Sequence, residues 1–192
     1  GASWAIIDDQ GYENEKTILV DDCLSELQAL ASFHRKTIKT LVLAITGTNG
    51  KTTTKELISA VLARKFRVHH TKGNLNNEIG VPLTILSAPV STEIMVIEMG
   101  ANHIGEIKNL CNIAMPDYGM ITNVGTAHIE GFGSAEGVLK AKTELYEYLR
   151  KTNGVAFYND KDTVLTERIL TIGTRAVPFS NPGGIELKFE QL

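Results

Sequence analysis

Apolar residues fall into short continuous runs, separated by stretches where they recur every three or four positions, and this alternation organises most of the chain. Leu41-Val42-Leu43-Ala44-Ile45 is apolar throughout, as expected of a parallel strand covered on both faces. Ile94-Met95-Val96-Ile97 and Val155-Ala156-Phe157-Tyr158 read the same way, and Tyr118 to Val124 is expected to be a further strand. Between them, Leu57, Ile58, Val61 and Leu62 have helical spacing, and a second helix is expected from about Ile104 to Asn112. Val138, Ala141, Leu145 and Leu149 line one face of a third, with Ser134 as its N-cap. Strands alternating with helices predict an α/β domain with a mostly parallel sheet flanked by helices. In such sheets, ligands bind beyond the carboxyl ends of the strands.

Before Thr40 the pattern is weaker. It gives a strand at Trp4-Ala5-Ile6-Ile7, another at Ile18-Leu19-Val20, and a helix from about Cys23 to His34. That is too little to bury a core alone, so residues 1–37 are expected to close a preceding domain and residues 38–192 to form the main one. The chain opens inside a strand-like run and stops after Ile185-Glu186-Leu187-Lys188-Phe189, so both ends read as cut.

Composition narrows the function classes. Of 192 residues, 43% are hydrophobic and 21% charged, which suits a soluble globular domain. A net charge of −3 gives no reason to expect nucleic acid or an anionic membrane as partner. Cys23 and Cys111 are far apart and in no metal-ligand spacing, and read as reduced thiols. No signal peptide and no membrane-spanning apolar run is evident, so the cytoplasm is the expected location.

Chemistry concentrates first in Thr46-Gly47-Thr48-Asn49-Gly50-Lys51-Thr52-Thr53, between a buried strand and a helix. Glycines let the chain turn so that successive N–H groups face one concavity, which attracts phosphate together with the helix N-terminus. Lys51 can reach the β and γ phosphates, and the Thr52 hydroxyl can join a Mg²⁺ shell. A loop that merely turns the chain is the plainer alternative. The spacing is shorter than the usual phosphate loop, since Gly47 stands only three positions before Gly50.

The short form Gly-Thr-Asn-Gly-Lys-Thr resembles the loop of the Mur ligases and the related folylpolyglutamate synthetases. Further segments follow in the order that resemblance implies: Gly73-Asn74-Leu75-Asn76-Asn77-Glu78-Ile79-Gly80-Val81-Pro82, then Glu98-Met99-Gly100-Ala101-Asn102, then Asn123-Val124-Gly125-Thr126-Ala127-His128, with Glu130-Gly131-Phe132-Gly133 and Lys142 beyond. Together they are most similar to the family member that joins D-alanyl-D-alanine to a UDP-MurNAc-tripeptide in peptidoglycan synthesis. The resemblance covers residues 38–165 closely and the first 36 more loosely.

It implies a P-loop-type central ATP-binding domain, with ATP and two Mg²⁺ ions as cofactors and those two small molecules as substrates. Nucleotide contacts fall on Gly47, Thr48, Asn49, Gly50, Lys51, Thr52, Thr53 and Asn159. One metal falls on Thr52 and Glu98, the other on His128 and Lys142; Lys51, His128 and Lys142 are the implied catalytic residues. Lys142, an ordinary solvated helix residue by pattern, is implied to be carbamylated, which turns an ammonium into an oxygen donor. Asn76, Asn77 and Asn102 are implied to position substrate, with turn capping as the alternative. After Asn159-Asp160, Lys161 stands where an acidic or small residue is usual in the family. The family also carries a UDP-sugar domain before this one and a ligase domain after it; a monomer without membrane insertion is expected, and this length alone is not expected to ligate.

Other readings stay open. A sibling ligase acting on another amine or on folate keeps the loop but not the later strings. A nucleotide switch without ligation keeps only the loop. A Rossmann dinucleotide binder needs a Gly-x-x-Gly continuation where Gly-Lys-Thr stands. His69-His70 on a strand would face opposite ways and not chelate one metal, and Asp8-Asp9 and Asp21-Asp22 read as turn or cap acids. Trp4 and Tyr12 read as packing residues.

Overall fold

The computed structural model describes residues 2–125 and 132–179. Six parallel strands form its sheet: β3 (Leu41–Thr46), β4 (Val68–His70), β5 (Ile94–Glu98), β6 (Tyr118–Ile121), β7 (Val155–Tyr158) and β8 (Arg175–Pro178). Their spatial order is β4-β5-β3-β6-β7-β8. The order reverses around β3, so the loop leaving β3 lies at the switch point where ligands bind in such sheets.

Among the described residues the helices packed on the sheet are α1 (Cys23–Thr37), α2 (Lys51–Leu62), α3 (Gly80–Leu86), α4 (Glu106–Ala114), α5 (Ala135–Thr152) and α6 (Thr163–Ile172). Strand residues alternate between the two faces. Val42 and Ala44 of β3 join Met95, Ile97 and Ile121 in the larger core, packed with α3, α4, α5 and α6. Leu43 and Ile45 join Val96 in the smaller core, against Ile58 and Leu62 of α2. Because both faces are covered, β3 and β5 are apolar at every interior position.

Among the described residues every sheet pairing is parallel, as the βαβ alternation requires. Ser134 caps α5 by accepting from Gly137 N, as its position predicts. Two expected boundaries shift. β6 ends at Ile121 rather than Val124, because residues 122–125 turn to bond the loop after β3. α4 starts at Glu106, just after Gly105, whose φ of 98° no helix accommodates. Strands β4 and β8 and helices α3 and α6 were not expected from the pattern.

A separate two-stranded parallel ribbon pairs β1 (Ala5–Ile7) with β2 (Thr17–Leu19). Asp9 accepts from Gly11 N, Asp8 from Cys23 N, and Asp22 caps α1 through Ser25 N, so these acids act at turns and caps. The expectation for Trp4 and Tyr12 fails. They are 61% and 72% exposed, since no further layer among the described residues lies on the ribbon. Helix α1 packs instead into the main layer, against α3 and α4.

Candidate functional site

The loop after β3 is held by a clasp from the end of β6. Gly47 has φ 142°, and a Cβ there would collide with the Thr122 hydroxyl, so only glycine fits. Thr48 N donates to Asn123 O at 3.0 Å, and Gly125 N donates to Thr48 Oγ1 at 2.9 Å. Asn123 brackets Asn49, with Oδ1 accepting its N–H at 3.1 Å and Nδ2 donating to its carbonyl at 3.0 Å. Thr122 Oγ1 adds a bond to the same carbonyl at 2.7 Å. Gly50, at φ 75°, is the N-cap of α2 and supplies no side-chain cap. The first-turn N–H groups of α2 therefore face outward, as an anion site requires. Thr52 and Thr53 sit exposed in that first turn.

Lys51 folds back along the loop, donating to Gly47 O at 2.9 Å and Thr48 O at 3.0 Å. Its ammonium is thus fixed at the mouth of the concavity. Burial pushes its pKa down from the usual lysine value, against the opposing pull of Glu98.

A cavity of about 330 Å³ opens beside the loop, lined by Gly47, Thr48 and Lys51 together with Asn76, Asn77, Asn102, His103, Glu106, Phe132 and Lys142. The structure therefore brings together the loop, all three predicted substrate asparagines and Lys142. Pattern alone makes Lys142 a solvated residue, but it is 3% exposed. Its Nζ donates to Ala101 O at 3.3 Å and lies 5.4 Å from the centre of the Phe132 ring. Burial, then the charge of Lys51, lowers its pKa to about 8, while Glu106 and Glu144 pull the other way.

Glu98 ends β5 and is 1% exposed. Its backbone N–H bonds Thr71 Oγ1 at 3.0 Å, and its Oε1 accepts from Asn76 Nδ2 at 2.8 Å. Oε2 accepts no hydrogen bond. A buried carboxylate oxygen left unsatisfied suits a hard cation, so the residues fit a Mg²⁺ ion held by Glu98 and the Thr52 hydroxyl. Among the described residues no three His, Cys, Asp or Glu side chains gather into a metal-binding group, so such an ion would take its other ligands from phosphate and water.

The other predicted residues divide. Asn77 Oδ1 accepts from Gly80 N at 2.9 Å and from Ile79 N at 3.3 Å, so its acceptor starts α3 while the residue lines the cavity. Asn159 follows β7 on the same carboxyl edge as the loop but two strands away from β3, and its Oδ1 accepts from Lys161 N at 3.1 Å. His128 lies outside the described residues. His69 and His70 do face different partners: His69 Nε2 meets Thr84 O at 2.9 Å, and His70 Nε2 lies 3.5 Å from Glu56.

Sequence reasoning missed four contributors. Asn123 stands in a family-like string, but nothing there marks it as the clasp of the loop. Glu106 takes the N–H groups of Asn102 and His103 at 2.7 and 3.3 Å and the His103 ring at 3.0 Å, shaping the cavity wall. Burial pushes its pKa up, but these donors outweigh burial and leave it lowered. Glu144, on α5, accepts from Gly105 N at 2.6 Å and Lys108 N at 2.9 Å, capping α4 from outside. Lys55, one turn after Lys51, is fully buried. None of the four has a local spacing that marks it.

The Mur ligase middle domain matches residues 45–188. The UDP-N-acetylmuramoyl-tripeptide–D-alanyl-D-alanine ligase of Bacillus subtilis is 48% identical over 153 residues, covering 80% of this chain and 33% of the ligase. The chain thus spans about a third of that relative's length. Among solved structures, MurF from Acinetobacter baumannii superposes with a TM-score of 0.84 at 33% identity, over 93% of this chain and 40% of that one. MurF ligase from Thermotoga maritima in complex with ADP gives 0.84 at 35% identity, over 92% of this chain and 41% of that one. With its clasped loop and the buried Lys142 held around one cavity, and a middle-domain match over residues 45–188, the chain belongs to the Mur ligase family and carries that family's middle domain.

Proposed function

We propose that this chain is the ATP-binding and phosphoryl-transfer part of an amide ligase, which activates the terminal carboxylate of a UDP-MurNAc-tripeptide and joins it to the amine of D-alanyl-D-alanine. The observation that carries the reading is the single cavity shared by the clasped loop, Lys51, Asn76, Asn102 and Lys142, at the carboxyl edge of the sheet. Residues 1–37 would close a preceding UDP-sugar domain and residues 38–192 form the central domain. The match covers only 33% of the B. subtilis relative, and the rest of that length supports further domains in the working enzyme.

In this reading the loop amides and Lys51 hold the β and γ phosphates and offset charge spreading over the phosphoryl oxygens during transfer. The acceptor carboxylate attacks the γ phosphorus and ADP leaves; the amine then attacks the acyl carbon, inorganic phosphate leaves, and the amine loses a proton as the amide forms. Asn102 and Asn76 border the space where that carboxylate enters. Magnesium, when bound, supplies positive charge that lets two anions approach each other. Thr52 and Glu98 would hold one ion, and His128 with Lys142 the other. Burial of Lys142 supports its carbamylation, because CO₂ reacts with the neutral amine and releases one proton as the carbamate forms. Neither nucleic acid nor membrane enters the reaction, no described helix is long and apolar enough to cross a bilayer, and a cytoplasmic monomer fits the substrates.

The test is phosphate release by the ligase carrying this domain, with ATP, Mg²⁺ and UDP-MurNAc-tripeptide, across a panel of amines. Release that requires D-alanyl-D-alanine is expected. Release with a different amine or with folate would keep the chemistry and move the substrate to a sibling, and amine-independent release would favour a nucleotide switch. These 192 residues alone are expected to bind nucleotide weakly and not to ligate.

A further inference from the structure

Lys55 has no part in the proposed reaction, and its position calls for an explanation. It is 0% exposed, on α2 one turn beyond Lys51. A fully buried ammonium persists only beside compensating charge. Two carboxylates supply it: Glu56 Oε1 at 3.0 Å and Glu98 Oε2 at 3.9 Å. Glu56 is half exposed, and its other oxygen faces His70 Nε2 at 3.5 Å. Glu98 is the buried partner, and the oxygen it turns to Lys55 is the one that accepts no hydrogen bond. Asn76 holds the other oxygen, so the carboxylate is fixed between an amide donor and an ammonium.

We propose that Lys55 is a positioning residue that serves as the resident counter-cation of Glu98. It holds the carboxylate in its metal-accepting pose and cancels its charge until nucleotide arrives with a divalent cation. With the Lys55 ammonium 3.9 Å from its free oxygen, Glu98 draws a bare divalent ion less strongly than a lone buried carboxylate would. The same ion carried with triphosphate brings its own anions and gains the Glu98 oxygen, while Lys55 keeps Glu56 as its closer partner. The site thereby discriminates the metal–nucleotide complex from the free metal. The inference rests on Glu98 being the metal-binding carboxylate of the proposed reaction, but its test needs neither nucleotide nor substrate.

The full chain and its Lys55→Met variant would be melted without nucleotide, in EDTA and in ~10 mM MgCl₂, enough to fill a site with a dissociation constant of about 1 mM. The parent should melt at the same temperature in both. The variant should melt lower by roughly 6 °C or more in EDTA, as expected for breaking a buried charge pair in a chain of this size. Magnesium should restore a large part of that loss. The double variant Lys55→Met/Glu98→Gln should recover stability in EDTA and lose the response to Mg²⁺, since the lone buried charge is gone. Should Lys55→Met not fold, a folded double variant still supports the proposal, and a double variant as unstable as the single overturns it. A loss unaffected by Mg²⁺ would make Lys55 a packing residue and sink the idea, as would equal stabilisation of the parent by Mg²⁺. Failure here leaves the amine panel untouched, and failure of the panel leaves these melts readable.

Discussion

At the scale of single residues, the loop and the buried lysine make the sharpest demands. Gly47 holds φ 142° with the Thr122 hydroxyl where a Cβ would be. Gly47→Ala should therefore cost on the order of 1–3 kcal/mol, read from a denaturant midpoint, and should weaken ADP binding as the clasp opens. Normal ADP affinity in that variant would show that the clasp does not set the loop. Lys142 gives a pH signature. Its pKa of about 8 lies below the ordinary 10.5, so above pH 8 the folded chain releases a proton that the unfolded chain keeps. Stability from this group should therefore rise between about pH 8 and 10.5. In CO₂-free buffer, Lys142→Met should melt with a flatter dependence across that window. An unchanged slope would mean that the amine is not held neutral by burial.

At the scale of elements, α4 is the instructive case. Gly105 at its N-terminus and Met115 at its C-terminus offer no side-chain cap. Both ends are finished from other helices. Glu144 of α5 takes two N–H groups at the start, and Arg35 of α1 donates to Ala114 O at 2.9 Å and Met115 O at 3.1 Å at the end. A carboxylate meets the positive pole and a guanidinium the negative one. Glu144→Ala should cost about 1 kcal/mol by urea denaturation, through two part-buried N–H groups left without their carboxylate. A change within error would show that water replaces the carboxylate. The same case explains what the sequence made legible. Strands β3, β5 and β7 declare themselves because burial on both faces forces unbroken apolar runs. Val68-His69-His70 and Arg175-Ala176-Val177-Pro178 do not, because each is a short edge strand and β8 is exposed throughout. Helix α3 has only seven residues, too few for a period to show. In the site, the loop and Glu98 sit in contiguous strings that a reader can find. Asn123, Glu106, Glu144 and Lys55 act through contacts made only once the chain has folded, so no local pattern marks their roles.

At the scale of the whole molecule, the first 37 residues divide in two. The β1–β2 ribbon stands apart with Trp4 and Tyr12 exposed, whereas α1 belongs to the helical layer. Arg35, with Asp117 at 3.2 Å, fastens α1 to the chain leading into β6, and Asp117 also accepts Val42 N at 2.8 Å. Asp117 is partly exposed, so the ion pair itself contributes modestly. The carbonyls left bare add more, and Arg35→Met should lower stability by about 2 kcal/mol. Amides of residues 102–106 should then exchange faster, and unchanged exchange there would show that the two ends of α4 are independent.

That expectation follows from where α4 lies. Its first turn carries Glu106, which shapes the cavity wall, and its last turn is gripped by the helix that follows the ribbon. Nine residues of α-helix make a rod about 14 Å long. A tug on the ribbon should therefore reach the cavity as a tilt of one stiff spoke, which gives the first 37 residues a mechanical handle on the chamber at the sheet's carboxyl edge.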